Sequence, residues 1–114
     1  MHQLFVYGTL RKGGGSHHML KNARVVKEGI WLNGFSLYSA GWYPLAVRDA
    51  AAKIIGDVVM VPDAIWPQLD AYEGEDYKRV YLEQEGVWIY LFRHDPTAFP
   101  KIAAGDWLTW WAQQ

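Results

Sequence analysis

Cysteine is absent from the 114 residues. That one absence excludes disulfides, thiolate nucleophiles and thiolate metal sites together, and it fits a reducing compartment. A surplus of either charge is missing too. Eleven Lys and Arg stand against 12 Asp and Glu, for a formal net charge of −1. Binding a phosphate backbone needs a basic excess on one face, so no nucleic-acid partner is expected. Arg11, Lys12, Lys21 and Arg24 are the candidates for a local basic patch, and a few solvated charges beside a loop is the competing reading. No stretch approaches the roughly 20 apolar residues of a membrane span. The first residues also lack the basic start and long apolar run of a secretion signal. These exclusions lead to the expectation of a cytoplasmic protein with no membrane partner.

What is present is apolar and aromatic. Half of the residues are hydrophobic and 16% are aromatic, which is too apolar for disorder. The length suits one domain over residues 1–114, with a real but modest core. Leu4–Tyr7 reads as a first strand stopped by Gly8, and Gly13-Gly14-Gly15-Ser16 as a flexible loop. A helical turn is expected over His17–Asn22. Strands are expected over Ala23–Glu28 and Ile30–Tyr38, separated by Gly29, and over Leu45–Arg48 after the turn at Gly41–Pro44. Ile54–Val61 is the strongest strand candidate, and Gly56 inside it signals a bulge or the close approach of another segment. Asp63 is the expected N-cap of a helix that ends at Gly74, with an irregular start around Pro67. Val80–Gln84 and Val87–Arg93 form strands around Glu85-Gly86. The aromatic tail from Gly105 to Trp111 has no clear shape from the sequence. Several short strands and one convincing helix predict a compact α+β, barrel-like domain.

Glu73 is the most informative candidate for chemistry. In a 3.6-residue helix, Ile65, Leu69 and Tyr72 share a stripe, and Glu73 projects roughly 40° from Leu69 and roughly 20° from Trp66. A carboxylate over apolar neighbours and at a helix C-terminus has its pKa pushed up, toward the range of a general acid/base. The plainer alternative is an ordinary acid exposed at a helix end. The second candidate is Tyr7-Gly8-Thr9-Leu10-Arg11. Backbone N–H groups after a strand that ends in glycine are free to meet a carboxylate or an oxyanion, or the glycine serves the turn alone. His17 and His18 point about 100° apart on a helix and lack a partner at zinc spacing, so no metal site is expected. Ser16 has no elbow motif around it to make a nucleophile. The seven tryptophans, without basic residues interleaved, read as core and pocket wall and not as base-stacking platforms.

Taken in order, these segments resemble the gamma-glutamylcyclotransferase-like family, in particular its short bacterial branch. Phe5-Val6-Tyr7-Gly8-Thr9-Leu10-Arg11 is similar to the family's YGTL signature, and Ser16-His17-His18-Met19-Leu20 follows the glycine loop. Tyr43-Pro44 resembles its tyrosine-proline turn, and Gly56-Asp57-Val58 its strand before the helix. Leu69-Asp70-Ala71-Tyr72-Glu73-Gly74, then Tyr77 and Arg79, resembles its acidic helix-end motif. Trp88-Ile89-Tyr90 and Gly105-Asp106-Trp107 complete the order. Two features depart from the pattern and bear on substrate preference: Ser16 stands where many relatives carry asparagine, and Glu73 is followed compactly by Glu75-Asp76 and Tyr77.

The resemblance implies a small mixed β-barrel flanked by helices, with a cavity beside the YGTL loop. It implies an enzyme, of transferase or lyase type, that cyclises a γ-glutamyl group to 5-oxoproline and releases an amine or amino acid. Glu73 would be catalytic. Tyr7, Gly8, Thr9 and Leu10 would cradle the substrate, with Tyr43, Tyr77 and Tyr90 as further substrate-binding positions. No metal or organic cofactor is implied, and the expected partner is a small γ-glutamyl compound met by a monomer or weak homodimer. Besides an enzyme of the same chemistry acting on an unrelated γ-glutamyl adduct, two rivals stand beside this reading. One is a non-catalytic module of the same fold that captures γ-glutamyl-like carboxylates. The other is an interaction protein whose aromatic tail docks a partner through an exposed apolar patch.

Overall fold

The sheet is organised around strands that are buried on both faces, His2–Val6, the end of the strand that reaches Val61, and Val87–Phe92. The computed structural model describes residues 2–20 and 23–114. Its strands are β1 (His2–Val6), β2 (Arg24–Ser39), β3 (Pro44–Val61), β4 (Tyr77–Leu82), β5 (Val87–Phe92) and β6 (Lys101–Ile102). They make one six-stranded sheet in the order β4-β5-β1-β3-β2-β6. β1 runs antiparallel to β3, with Phe5 opposite Val58, and parallel to β5, with Leu4 opposite Trp88. The α+β class is as expected from the sequence. The sheet does not close into a barrel, because β4 and β6 stand at its two edges.

Alternation along β1 sends Leu4 and Val6 to one core and Phe5 and Tyr7 to the other. The first core also holds Val59, Val61 and Tyr90, and it is covered by Ile65 and Leu69. Ile65 ends a short 3-10 turn (Asp63–Ile65), and Leu69 lies on the helix α1 (Trp66–Glu73) that follows. The second core gathers Phe35, Leu37, Ile54, Val58 and Ile89 around Trp107, the first residue of helix α2 (Trp107–Ala112). A sheet covered on both faces reads as near-continuous apolar runs, which is why residues 54–61 gave so strong a strand signal.

Several boundaries differ from the sequence expectation. β2 continues through Gly29, and β3 through the Ala50-Ala51-Ala52 stretch that has little strand character of its own. Pairing along a long hairpin overrides local propensity there. The β2 register shifts on either side of Lys27, and Gly29 takes φ 62°. Gly56 marks a close approach, as expected: a Cβ there would stand 2.4 Å from the Val6 carbonyl oxygen. Asp63 does not cap the helix through its side chain. Pro62 precedes the 3-10 turn, and the Asp63 carboxylate lies 2.8 Å from His2 Nε2. Gly74 does end α1, with φ 80° and its N–H donated to the Asp70 carbonyl. His17–Leu20 form a 3-10 turn, while Lys21 and Asn22 lie outside the described residues. The tail that was shapeless in the sequence is α2, whose N-cap Asp106 accepts from the Thr109 N–H at 3.2 Å.

Arg11 does not belong to a basic patch. It is buried, with its guanidinium 3.4 Å from Asp57 and 3.5 Å from Asp106, and Lys12 pairs with Glu28 at the surface. Asp57 is only 2% exposed and also accepts from the Lys12 and Gly29 N–H groups at 3.1 and 3.0 Å. Removing one partner of a buried ion pair leaves the other charge uncompensated, at a cost of about 3–5 kcal/mol. Asp57→Ala should therefore lower the unfolding free energy by about 3 kcal/mol or more in urea titration. A loss below about 1 kcal/mol would show that the network is not holding the fold.

Candidate active site

The end of β1, the start of β3, the start of β4 and the C-terminal end of α1 meet around a cavity of about 480 Å³. That volume lies in the range of small-molecule pockets. Gly8 is needed where β1 leaves the sheet, because a Cβ there would fall 2.4 Å from Pro44 Cγ. The loop that follows is tied by its own backbone. Arg11 donates to the Gly8 carbonyl, Gly14 to that of Arg11 and Ser16 to that of Thr9. The N–H groups of Gly8, Thr9 and Leu10 donate none of these bonds. His17 Nδ1 lies 3.0 Å from the Leu10 carbonyl and latches the loop from behind.

All eight sequence candidates line this one cavity: Glu73, the loop residues Tyr7, Gly8, Thr9 and Leu10, and the rings of Tyr43, Tyr77 and Tyr90. Glu73 is half-buried at the end of α1. Burial, and then the negative charge of Asp70 one helical turn earlier, push its pKa from an ordinary 4.5 up to about 7. Burial together with the nearby Glu73 charge raises the Tyr7 and Tyr77 phenols as well. Burial and the hydrogen bond to Asp70 raise Tyr90.

Trp66 does not supply the burial, contrary to the expectation from helical angle. Seven residues separate Trp66 from Glu73, so they share a face but stand about 10 Å apart along the axis. Trp66 packs instead on His2 and Trp88 and lies 4.2 Å beneath the Arg79 guanidinium. Tyr72 also leaves the expected apolar stripe. Its hydroxyl donates to Ser16 Oγ at 2.7 Å and lies 3.0 Å from Thr9 Oγ1, so it ties α1 to the loop across the cavity edge.

No phenol in the wall donates to Glu73. Tyr77 donates to the Pro44 carbonyl at 2.8 Å, Tyr7 to the Tyr90 carbonyl at 2.5 Å, and Tyr90 to Asp70 at 2.7 Å. Arg79 holds the other Asp70 oxygen at 3.5 Å. Sequence reasoning missed Asp70, Asp76, Trp42 and the Tyr72–Ser16 tie. The spacing of Asp70 and Glu73, i and i+3 on one helix, was the available signal for the first of these.

Fold and cavity together define a class: an α+β protein whose pocket is sized for a small molecule and is lined by both a half-buried acid and a glycine turn. The chain belongs to the family described as "Gamma-glutamyl cyclotransferase, AIG2-like", whose profile matches residues 4–109. It is 31% identical over 110 residues to the gamma-glutamylcyclotransferase family protein YtfP of Escherichia coli K12, covering 93% of this chain and 96% of that one. The solution structure of E. coli YtfP superposes with a TM-score of 0.71 at 32% identity, with the same coverage. A crystal structure of a Pyrococcus horikoshii protein gives a TM-score of 0.81 at 25% identity, covering 99% of this chain and 95% of that one. Among the described residues, no helix is long and apolar enough to cross a membrane.

The raised pKa has a consequence for stability. Between an ordinary value of 4.5 and about 7, the folded protein keeps a proton on Glu73 that the unfolded chain has already released. Stability therefore falls as pH rises through that window and stays at the lower level above it. Titration of the Glu73 carboxyl by carbon-detected NMR should give a midpoint near 7. Glu73→Gln should flatten this part of the pH–stability curve, by at most about 3 kcal/mol. A midpoint at the ordinary glutamate value would overturn the assignment.

Proposed function

We propose that this protein cyclises a γ-glutamyl group to 5-oxoproline and releases the attached amine or amino acid, with Glu73 as general acid/base. The observation that carries the reading is the raised-pKa carboxyl of Glu73 in one cavity with the Gly8 loop. Family membership supports the reaction class.

The substrate's α-amine attacks its own γ-carbonyl carbon. The nucleophile is tethered to the electrophile, so orientation alone removes much of the barrier. A new N–C bond closes the five-membered ring as the bond from the γ-carbon to the leaving nitrogen breaks. Glu73 takes the proton from the attacking amine and passes it to the leaving nitrogen. A carboxyl with a pKa of about 7 serves both transfers near neutral pH, since neither protonation state is scarce there. The N–H groups of Gly8, Thr9 and Leu10, unspent in the loop's own turns, would meet the substrate carboxylate and the developing oxyanion. Tyr77 and Tyr90 would form the walls that hold the glutamyl chain, with the half-exposed Tyr43 further out on the leaving-group side.

Glu73→Gln should keep the fold and lower the rate of 5-oxoproline release from γ-glutamyl amines and γ-glutamyl amino acids by at least about 10². For the native protein, kcat should fall on the acid side of about 7, where Glu73 is protonated and cannot accept the amine proton. Near-native turnover in the variant would remove Glu73 from the mechanism. A native protein that binds these conjugates but releases no 5-oxoproline would be a binding module instead.

A further inference from the structure

The cavity mouth contains two large aromatic side chains that the cyclisation chemistry does not use. Trp42 is 77% exposed and Tyr43 is 48% exposed, and both line the cavity that holds Glu73. With Trp111, 41% exposed and in ring contact with Trp42, they make a contiguous aromatic patch, the kind of surface that marks a binding site. It is also held in place. Trp42 packs on Trp111 with ring centres 5.6 Å apart, and Trp111 stacks at 5.7 Å on Trp107, which is buried in the core. Tyr43 stands edge-on to Tyr77 at 6.5 Å. A chain of indoles thus runs from the core to the mouth and fixes the orientation of the outermost ring.

Charge narrows the choice of ligand. Among the described residues, the charged side chains lining the cavity are Glu73 and Asp76, both acids. Arg11 and Arg79, beside the cavity, are committed elsewhere. Arg11 is buried with Asp57 and Asp106, and Arg79 lies against Trp66 and Trp88 while reaching Asp70. Asp76 pairs with His94, which does not line the cavity. A leaving group bearing a carboxylate would meet like charge there, with no cation among the described wall residues to offset it. A flat apolar ring would meet an indole face and a phenol face.

We propose that Trp42 and Tyr43 form a leaving-group subsite that selects γ-glutamyl conjugates of aromatic amines over those of acidic amino acids. The inference rests on the cyclisation reading for the orientation of the substrate, glutamyl end inward and amine end at the mouth. Trp42 is then a specificity residue that touches the departing amine.

Three conjugates test it: γ-glutamyl-phenethylamine, γ-glutamyl-propylamine and γ-glutamyl-glutamate. The native protein should release 5-oxoproline from the phenethyl conjugate with kcat/KM about tenfold above the propyl conjugate, and further above the glutamate conjugate. In Trp42→Ala the phenethyl-to-propyl ratio should fall toward one, and Trp42→Phe should restore most of it. Near-ultraviolet circular dichroism checks that both variants keep their packing. Equal handling of all three conjugates by the native protein, or a ratio unchanged in Trp42→Ala, overturns the subsite while leaving the cyclisation standing. If no conjugate is turned over, the cyclisation reading fails, and calorimetry on the native protein decides the subsite alone. Tighter binding of the phenethyl conjugate that is lost in Trp42→Ala supports it, and equal or absent binding overturns it. Where turnover is seen, calorimetry on Glu73→Gln should give the same ratio in Kd.

Discussion

The buried carboxylate of Asp57 is the point through which the separate parts of this protein are joined. It sits on β3 opposite Val6, the last residue of β1, and accepts from the Arg11 guanidinium and from the backbone of Lys12 and Gly29. Arg11 then reaches on to Asp106, the N-cap of α2. One charged cluster therefore fixes the loop after β1, the irregular part of β2 and the start of the C-terminal helix. A buried pair of this kind adds little stability relative to an apolar substitute, and its value lies in fixing one arrangement. Here that arrangement aims Gly8–Leu10 into the cavity, because the loop leaves β1 at Tyr7 and is pinned again at Arg11 and Lys12 only a few residues later.

The two sides of the cavity are held by different forces. The loop side depends on the charged network and on the Pro44 ring, which leaves no room for a side chain at position 8. The acid side depends on apolar packing: Ile65 and Leu69 seat α1 on the sheet, and Glu73 is then the last helical residue before Gly74 turns the chain away. Tyr72 joins the two sides through Ser16 and Thr9. With its own proton given to Ser16, Tyr72 accepts from Thr9, so the tie is directional. The tail backs the loop side, through Arg11 on Asp106 and through Trp111 packed on Trp42. Trp107 is buried and Trp111 stacks on it, so the aromatic residues that suggested a docking patch are largely packed against one another and against Trp42.

Much of this was legible in the sequence, for identifiable reasons. Strands such as Val87–Phe92 are apolar on both faces and short, and they announce themselves. The glycine at 56 had a stated reason to be there, and the close approach of the Val6 carbonyl is that reason. All eight candidates line one cavity: a motif orders them along the chain, and the topology that gathers them is set by pairing. What could not be read was long-range. Arg11 looked like a surface cation because its partners lie 46 and 95 positions away. Asp63 looked like a cap because caps are local patterns, but His2 competes for it from another strand. Trp66 was placed beside Glu73 by an angle that ignored the rise along the axis.

The tyrosine-lined wall raises a final physical point. Phenols close to a carboxylate normally donate to it, which favours the charged form and pulls the pKa down. Tyr77 or Tyr90 could moderate Glu73 in this way only with a free hydroxyl. Each hydroxyl is already committed: Tyr77 to Pro44, Tyr7 to Tyr90 and Tyr90 to Asp70. The wall thus presents Glu73 with ring surface and burial but no compensating donor. Asp70 deepens the effect, since it takes the Tyr90 proton for itself and adds a negative charge one turn from Glu73. Arg79 pairs with that same carboxylate from its stacked position over Trp66, so an aromatic cluster outside the cavity helps to fix where Asp70 lies on the turn before Glu73.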